Sequence, residues 1–407
     1  QFTTYLPWAS EFGPGLSPGN VGDPTLKPEV STEIEFGGEI GVLNDKVAFD
    51  FQYWDRVVED ALIQRAYPPS GGFVRTQLSN IGQLDAKGWE VGVDANVLRN
   101  SNISVDVFGT LSYLEEKVVS LGGAPEQKVG GSYPRYRNFL TEGWAPGSYF
   151  GAKGSWEVDP SIKYPIDVTG DGKADSEAVL LEFFKTKGDG VRSGWNPVMA
   201  IPTQADVDAG RAKDTGSLGW YLGKPTPDYT ASFGGSVKYG KNWRFNTLFE
   251  SRFGNYEITN LTDGFRKSHG LIGRNTPEAA KTEAALMDPA KAGQVRMDAA
   301  ARWIKEFLAL SPYSGLNTIE DGSFVRLREL SVSYTFDQEI AARFGARSLT
   351  ASFSGKNLWM STDYSGIDPE LNSISRSNGG ISDFQQSIDA FGVPIPRMFN
   401  FSIKVGL

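Results

Sequence analysis

The sequence predicts an all-β chain: an antiparallel transmembrane β-barrel segment of about ten to eleven strands, with long extracellular loops, one of which carries short helices. Three observations predict it. Apolar and polar residues alternate through segments of about ten residues, which places them on opposite faces of a strand. The apolar faces carry no charge although charged residues make up 22% of the chain, as a band facing lipid requires. Connections alternate short and long, the arrangement of outer-membrane barrels, whose periplasmic turns are short and extracellular loops long.

The first hairpin, EIEFGGEIGVLNDKVAFDFQYW from Glu33, puts Ile34, Phe36, Ile40 and Val42 on one face and Glu33, Glu35 and Glu39 on the other. After a turn at Leu43-Asn44-Asp45, Val47, Phe49, Phe51 and Tyr53 oppose Asp50 and Gln52. The next pair sets Trp89, Val91, Val93, Ala95 and Val97 against Glu90, Asp94 and Asn96, then Ile103, Val105, Val107, Leu111 and Tyr113 against Ser104, Asp106, Thr110 and Ser112. Tyr229 to Tyr239 and Trp243 to Phe253 form a third hairpin about the tight Gly240-Lys241-Asn242 turn. Leu330 to Phe336, Leu349 to Phe353 and Phe399 to Leu407 complete the series. Long links are expected near 64–84, 117–142, 188–227, 255–322 and 360–395. In the fourth of these, EAAKTEAALMDPAKAGQVRMDAAARWIKEFLAL reads as two helices broken at Pro289 and Gly293.

Composition narrows the functional classes. A net charge of −9 argues against nucleic acid, whose phosphates need a basic footprint. No cysteine is present, which removes disulfides and thiolate metal sites and is compatible with export. The mean hydropathy of −0.31 does not exclude a membrane protein, because barrel strands alternate.

Seven motifs then stand in order along the chain: LKPE from Leu26, SNIGQLDAKGWEV from Ser79, EGWAPGSYFG from Glu142, LGKPTPDY from Leu222, SFVRLRELSVSYTF from Ser323, GKNLWMSTDYSGIDPE from Gly355 and PRMFNFSIKVGL from Pro396. Together they resemble the C-terminal barrel half of SusC/RagA-type TonB-linked (TonB-dependent) outer-membrane transporters. The resemblance implies that residues 1–407 are the C-terminal part of a 22-stranded, plugged barrel in the outer membrane of a Gram-negative bacterium. It further implies a nutrient importer, not an enzyme, acting with a SusD-like surface lipoprotein. The plug domain and TonB box, through which the TonB complex would act, are expected upstream of these residues.

Each candidate site also has a plainer reading. DVTGDGKADSE places Asp167, Thr169, Asp171, Gly172 and Asp175 at positions 1, 3, 5, 6 and 9 of an EF-hand-type calcium loop, with Glu177 one place before the twelfth position, where Ala178 stands. Ca²⁺ bound weakly and a solvated Asp/Gly-rich turn both fit; related transporters often carry such a segment here. Glu33, Glu35 and Glu39 lie at spacings open to a paired-carboxylate glycosidase, but acids and amides recur on that face strand after strand, which favours a lumen wall. Arg326 and Arg328, beside Glu329, read as grips for a plug or anionic solute, or as wall ion pairs of modest worth. His269 is the single histidine and cannot build a His-based metal site or a triad alone. Trp54, Trp89, Tyr113, Tyr239, Trp243 and Phe399 fall near strand ends and suit an interfacial girdle. Trp144, Tyr149 and Trp220 fit either sugar stacking or loop packing.

Two other classes compete: a passive porin or surface-binding barrel, and a soluble carbohydrate-active β-protein using the paired acids.

Overall fold

The computed structural model describes residues 4–11, 13–19, 22–66, 76–129, 135–186, 194–268, 276–308, 314–372 and 386–407. Nine long strands form one antiparallel sheet in which every strand pairs with its sequence neighbours. They are β1 (Val30–Val42), β2 (Val47–Ala66), β3 (Thr76–Arg99), β4 (Ile103–Ser120), β5 (Tyr229–Tyr239), β6 (Trp243–Phe253), β7 (Phe324–Thr335), β8 (Ser348–Thr362) and β9 (Met398–Gly406). The sheet is open, with β1 and β9 at its edges. A separate ribbon pairs Tyr5–Ser10 with Gly13–Pro18.

Among the described residues the continuous wall has nine strands, and the separate ribbon adds two more. Residues 121–228 form one excursion, not two loops at 117–142 and 188–227. The reason is visible in burial: Asn138–Leu140 and Ser148–Gly151 are buried at every position, so they lack the alternation of a wall strand. They belong instead to a small four-stranded sheet above the wall.

Links at 43–46, 100–102, 240–242 and 336–347 all lie at one end of the wall, and the long excursions at the other. At the first turn Leu43, Asn44 and Asp45 all take positive φ, a conformation that Asn and Asp tolerate better than most residues. The fourth short-end link is the exception in length, because it holds a helix, Gln338–Arg343.

Register decides which side chains share a face. Ile40 lies opposite Phe49 and Phe36 opposite Tyr53, while Glu33 lies opposite Arg56 and Glu39 opposite Asp50. The apolar face points outward and is exposed: Ile34 is 69% accessible, Phe36 60% and Phe401 68%. Phe36, Tyr53, Trp89, Tyr113, Tyr229 and Phe253 stand directly opposite one another across six strands, with ring centroids 5.2 Å apart for Phe36–Tyr53, Tyr113–Tyr229 and Tyr229–Phe253. Near the short turns Tyr239, Trp243, Tyr334 and Phe336 form a second aromatic group, with Trp243 and Tyr334 rings 4.7 Å apart.

Tyr229 and Tyr239 bound the eleven residues of β5. That is roughly 33 Å along the strand, or roughly 25 Å of depth at the tilt of about 40° found in membrane barrels. Between the two aromatic rows the outward positions of β1–β9 carry no charged residue. Charge returns just beyond the first row, where Asp55, Lys87 and Glu115 lie opposite one another and Lys87 pairs with Glu115 at 3.3 Å.

The buried core lies mostly above the wall. Helices α1 (Glu177–Thr186), α2 (Pro277–Met287) and α3 (Gly293–Arg302) enclose the fully buried Ile166, Leu180, Leu286 and Met297. Thr276 caps α2 through the Ala279 amide, with Pro277 following it. The predicted break between α2 and α3 is present at 288–292, and Arg296 closes it by donating to the Asp288 carbonyl. A Cβ at Gly293 would meet the Leu181 carbonyl at 2.9 Å, so glycine there lets α3 seat against α1. No helix among the described residues is long and apolar enough to cross a membrane.

Candidate functional site

The inner wall face is polar and its groups answer one another across strands. Glu33 binds Arg56, and Glu35 accepts from Gln52. Asn96 donates to Asp106 at 2.5 Å, Asn246 to Ser331 at 3.0 Å, and Lys356 lies 3.9 Å from Glu329. Bulky inward groups lean over glycines on the adjacent strand. A Cβ on Gly88 would strike the Trp54 ring at 2.8 Å, and one on Gly234 would come within 3.1 Å of Phe108. A shallow depression of about 260 Å³ lies along this face, lined by Asp94, Asp106, Phe108, Asn246, Leu248 and Glu329 among others.

Glu33, Glu35 and Glu39 thus sit in the wall, each opposite a residue of β2. Glu33 is engaged by Arg56 and Glu35 by Gln52, so each acid answers the neighbouring strand rather than the other acid. Trp54 corrects the girdle assignment: it shares the inner face with Glu35 and Gly88, and Arg56 lies over its ring at 5.5 Å. Its parity opposes that of Tyr53, which takes the outer position. Trp89, Tyr113, Tyr239 and Trp243 stand in the two aromatic rows, and Phe399 stacks on Phe353 at 6.1 Å on the outer face.

Residues from three excursions meet at the long-link end of the wall. Strands Glu257–Asn260, Ile319–Asp321 and Ile388–Asp389 form one small sheet. Tyr364 donates to Asp389 at 2.9 Å, and Asn260 to Glu320 at 3.1 Å. Trp144 packs against Tyr221 with centroids 4.6 Å apart, Tyr149 donates to the Ser387 carbonyl at 2.9 Å, and Trp220 to the Ala200 carbonyl at 3.0 Å. These aromatics pack the loops.

Where wall meets loops, a buried charge network forms. Arg326 reaches Asp368 at 2.5 Å and lies 2.8 Å from Glu370. The second contact is ionic but too bent for a hydrogen bond. Arg328 binds Glu370 and reaches Glu250 at 2.5 Å. Arg326, Asp368 and Glu370 side chains are 4%, 3% and 7% exposed. Arg328 is the extra residue of a bulge in β7, and Asn357, with φ 54°, makes the matching irregularity in β8. The bulge lets both arginines face the same loop acids.

In the segment 167–177, Asp167 accepts from the Gly170 and Gly172 amides at 2.6 and 2.9 Å, and Asp175 from the Val168 amide at 2.6 Å. Thr169 donates to Asp175 at 3.0 Å, Asp171 accepts from Lys173, and Glu177 opens α1. Bonding to the Gly172 amide, chiefly, holds the Asp167 carboxyl below its usual range. Among the described residues no group of three or more His, Asp and Glu is arranged to hold a metal ion. His269 lies outside the described residues.

The model of the TonB dependent receptor-like β-barrel matches residues 1–358. The chain belongs to the TonB-dependent receptor β-barrel family. It is 25% identical over 390 residues to TonB-dependent receptor P3 of Formosa agariphila, covering 93% of this chain and 34% of that protein. A second such receptor from the same organism matches at 25% over 411 residues, or 36% of its length. The chain thus spans about a third of the curated relatives it matches. Among solved structures, the RagAB peptide importer in its open-open state aligns with all of this chain and 38% of its own, at TM-score 0.65 and 19% identity. The closed-closed state gives 0.64 over 99%. The resemblance to TonB-dependent receptors is borne out as family, and the likeness to RagAB as fold.

In this TonB-dependent receptor barrel, sequence reasoning flagged Arg326 and Arg328 but missed Asp368 and Glu370, whose GIDPE motif lies 42 residues on from its partner arginines. Two inward cations at i and i+2 were the available signal. Also missed was Glu257, set opposite Asp321 and packed on Gly223. Burial first, then Asp321 and Glu320, pushes its carboxyl up to about 8. An acid with a folded pKa above its unfolded one leaves the folded state holding the extra proton between the two values, so stability falls as pH rises through that window. We expect amide exchange in 256–260 and 319–321 to quicken more than mere chemistry requires between pH 6 and pH 9, and Glu257→Gln to remove that excess. An unchanged profile in the variant would refute the assignment.

Proposed function

We propose that this chain forms part of the barrel of an outer-membrane TonB-dependent importer for an oligosaccharide, peptide or similar nutrient solute. The supporting observation is a charge-free outward band between two aromatic rows, backed by a polar inner wall, in a member of the TonB-dependent receptor family. On this reading the wall and loops shape the passage, a SusD-like lipoprotein assists capture at the mouth, and the TonB complex acts through a plug region not among these residues. The wall is not an enzyme site.

The test is solute uptake by cells carrying the natural gene, with and without a working TonB complex. Uptake that stops without TonB supports import. Uptake that persists returns the passive porin reading, and release of the protein without detergent together with sugar hydrolysis lost in Glu33→Gln returns the carbohydrate-active one.

Calcium at 167–177 is proposed as weak binding by Asp167, Thr169, Asp171, Asp175 and Glu177, on loop spacing alone. Millimolar Ca²⁺ is expected to raise the melting temperature of the natural protein by a few degrees and to do nothing for Asp167→Asn/Asp171→Asn. Equal response in both would end the proposal.

A further inference from the structure

The short-turn end carries one element that barrel closure does not require. Three of its four links are three or four residues long, whereas 336–347 holds the helix α4 (Gln338–Arg343). Its core contact is modest: Ala341 and Ala346 are buried. What it offers outward is more telling. Phe344 is 70% exposed, and it is flanked by Arg343 and Arg347, both exposed.

The neighbouring turn adds a third cation. Asn242 donates to the Thr335 carbonyl at 2.7 Å and to Asp337 at 3.1 Å, which fixes the 240–242 turn beside the start of α4 and brings exposed Lys241 to the same rim. Arg347 donates its amide to the Gly406 carbonyl, tying the far end of the link to β9. Among the described residues, none of Lys241, Arg343 and Arg347 has a carboxylate within 4.0 Å. Asp337 and Glu339 sit at the opposite, N-terminal end of the helix, and Asp337 is engaged by Asn242.

Position relative to the outward band gives these groups their meaning. Trp243, Tyr334 and Phe336 form a chain of rings at this edge, with Tyr334 and Phe336 centroids 4.9 Å apart. Aromatic rows of this kind mark the boundary between hydrocarbon and headgroups. A bare phenylalanine between two arginines just past that boundary has the composition of an interfacial anchor, with the ring entering the acyl edge and cations meeting phosphate. Helix-dipole compensation explains an arginine at the C-terminal end of α4, but not Phe344, Arg347 or Lys241.

We propose that α4, Phe344 and the 240–242 turn form a binding site for the headgroup of an anionic glycerophospholipid in the leaflet at the short-turn end of the barrel. The occupant follows from continuity with the lipid-facing band and from three unpaired cations at one rim. The inference rests on membrane residence, and its test separates the two.

Natural protein in detergent is given equal amounts of phosphatidylglycerol and phosphatidylcholine with the same acyl chains, and retained lipids are counted by native mass spectrometry. A preference of roughly tenfold for the anionic lipid is expected, given three cations near the surface. Lys241→Gln/Arg343→Gln/Arg347→Gln should reduce it to about twofold or less, and Arg343→Gln alone should give a partial loss, with heat-modifiable gel migration unchanged in each. Phe344→Ser should lower retention of both lipids. Equal retention of the two lipids by the natural protein, or an undiminished preference in a folded triple variant, would overturn the headgroup site while leaving the membrane reading in place. Retention of neither lipid would overturn both.

Discussion

Arg326→Ala is expected to destabilise the protein by about 3 to 5 kcal/mol, the cost of leaving buried charges without their partner. The side chain is 4% exposed and lies against two acids that are themselves buried. Removing it strands Asp368, which also accepts from the Glu370 and Ile395 amides, so the loss spreads into the link between β8 and β9. Urea unfolding in detergent micelles, followed by tryptophan fluorescence, measures the cost. Arg326→Met/Asp368→Leu serves as control: replacing both charges with apolar groups of similar volume should recover much of the loss. A single-variant cost under about 1 kcal/mol would mean that the network is solvated and contributes little.

Val93→Arg is expected to cost about 2 to 4 kcal/mol, since its outward position lies near mid-depth of the band, and Phe51→Arg, two residues from the Tyr53 row, less than that. Phe51 stands opposite Val91, and Val93 opposite Phe49 and Gly109, all below the Tyr53–Trp89–Tyr113 row and within the uncharged band. Asp50→Arg, on the inner face of the same strand, is the matched control and should cost far less. Unfolding from lipid vesicles, not from micelles, is the measurement that counts, since a micelle deforms around a charge. Tolerance of both outward arginines would remove the membrane assignment of this face.

The wall was legible because its rule is local. Each β-residue chooses a face by parity, and the band between the aromatic rows excludes charge, so Ile34 to Phe401 announce themselves in the sequence. Trp54 shows the limit of that reading: its size and its place near a strand end resemble a girdle residue, yet parity sends it inward over Gly88. The segment 138–151 was not legible as part of a separate layer, because its outer strand partners are two-residue stretches, Gln127–Lys128 and the distant Trp220–Tyr221, and its burial follows no period of two. Asp368 and Glu370 were missed for a related reason. Nothing local distinguishes an acid that crosses to a distant bulge from one that meets water, and only the pairing of β7 with β8 brings them to Arg326 and Arg328. The two helices of 277–302 were read correctly because the Ala-rich run and its break at Pro289 and Gly293 are local too.

The helical core is stitched from α1 on one excursion and α2 and α3 on another, and among the described residues its buried cluster includes none from the nine-stranded wall. Two regions with separate cores can accumulate substitutions on separate terms. Lineages can rewrite the excursions, insert residues or exchange aromatic neighbours at the mouth while the strand register below stays fixed. The contact points that restrain such divergence include Arg326 with its two acids and the cluster in which Ala61, Ile63 and Val118 of the wall meet Leu121 and Leu140. Variation among relatives should therefore concentrate above the wall and thin out at those junctions, so that diversification of what is captured proceeds without renegotiating how the protein sits in its membrane.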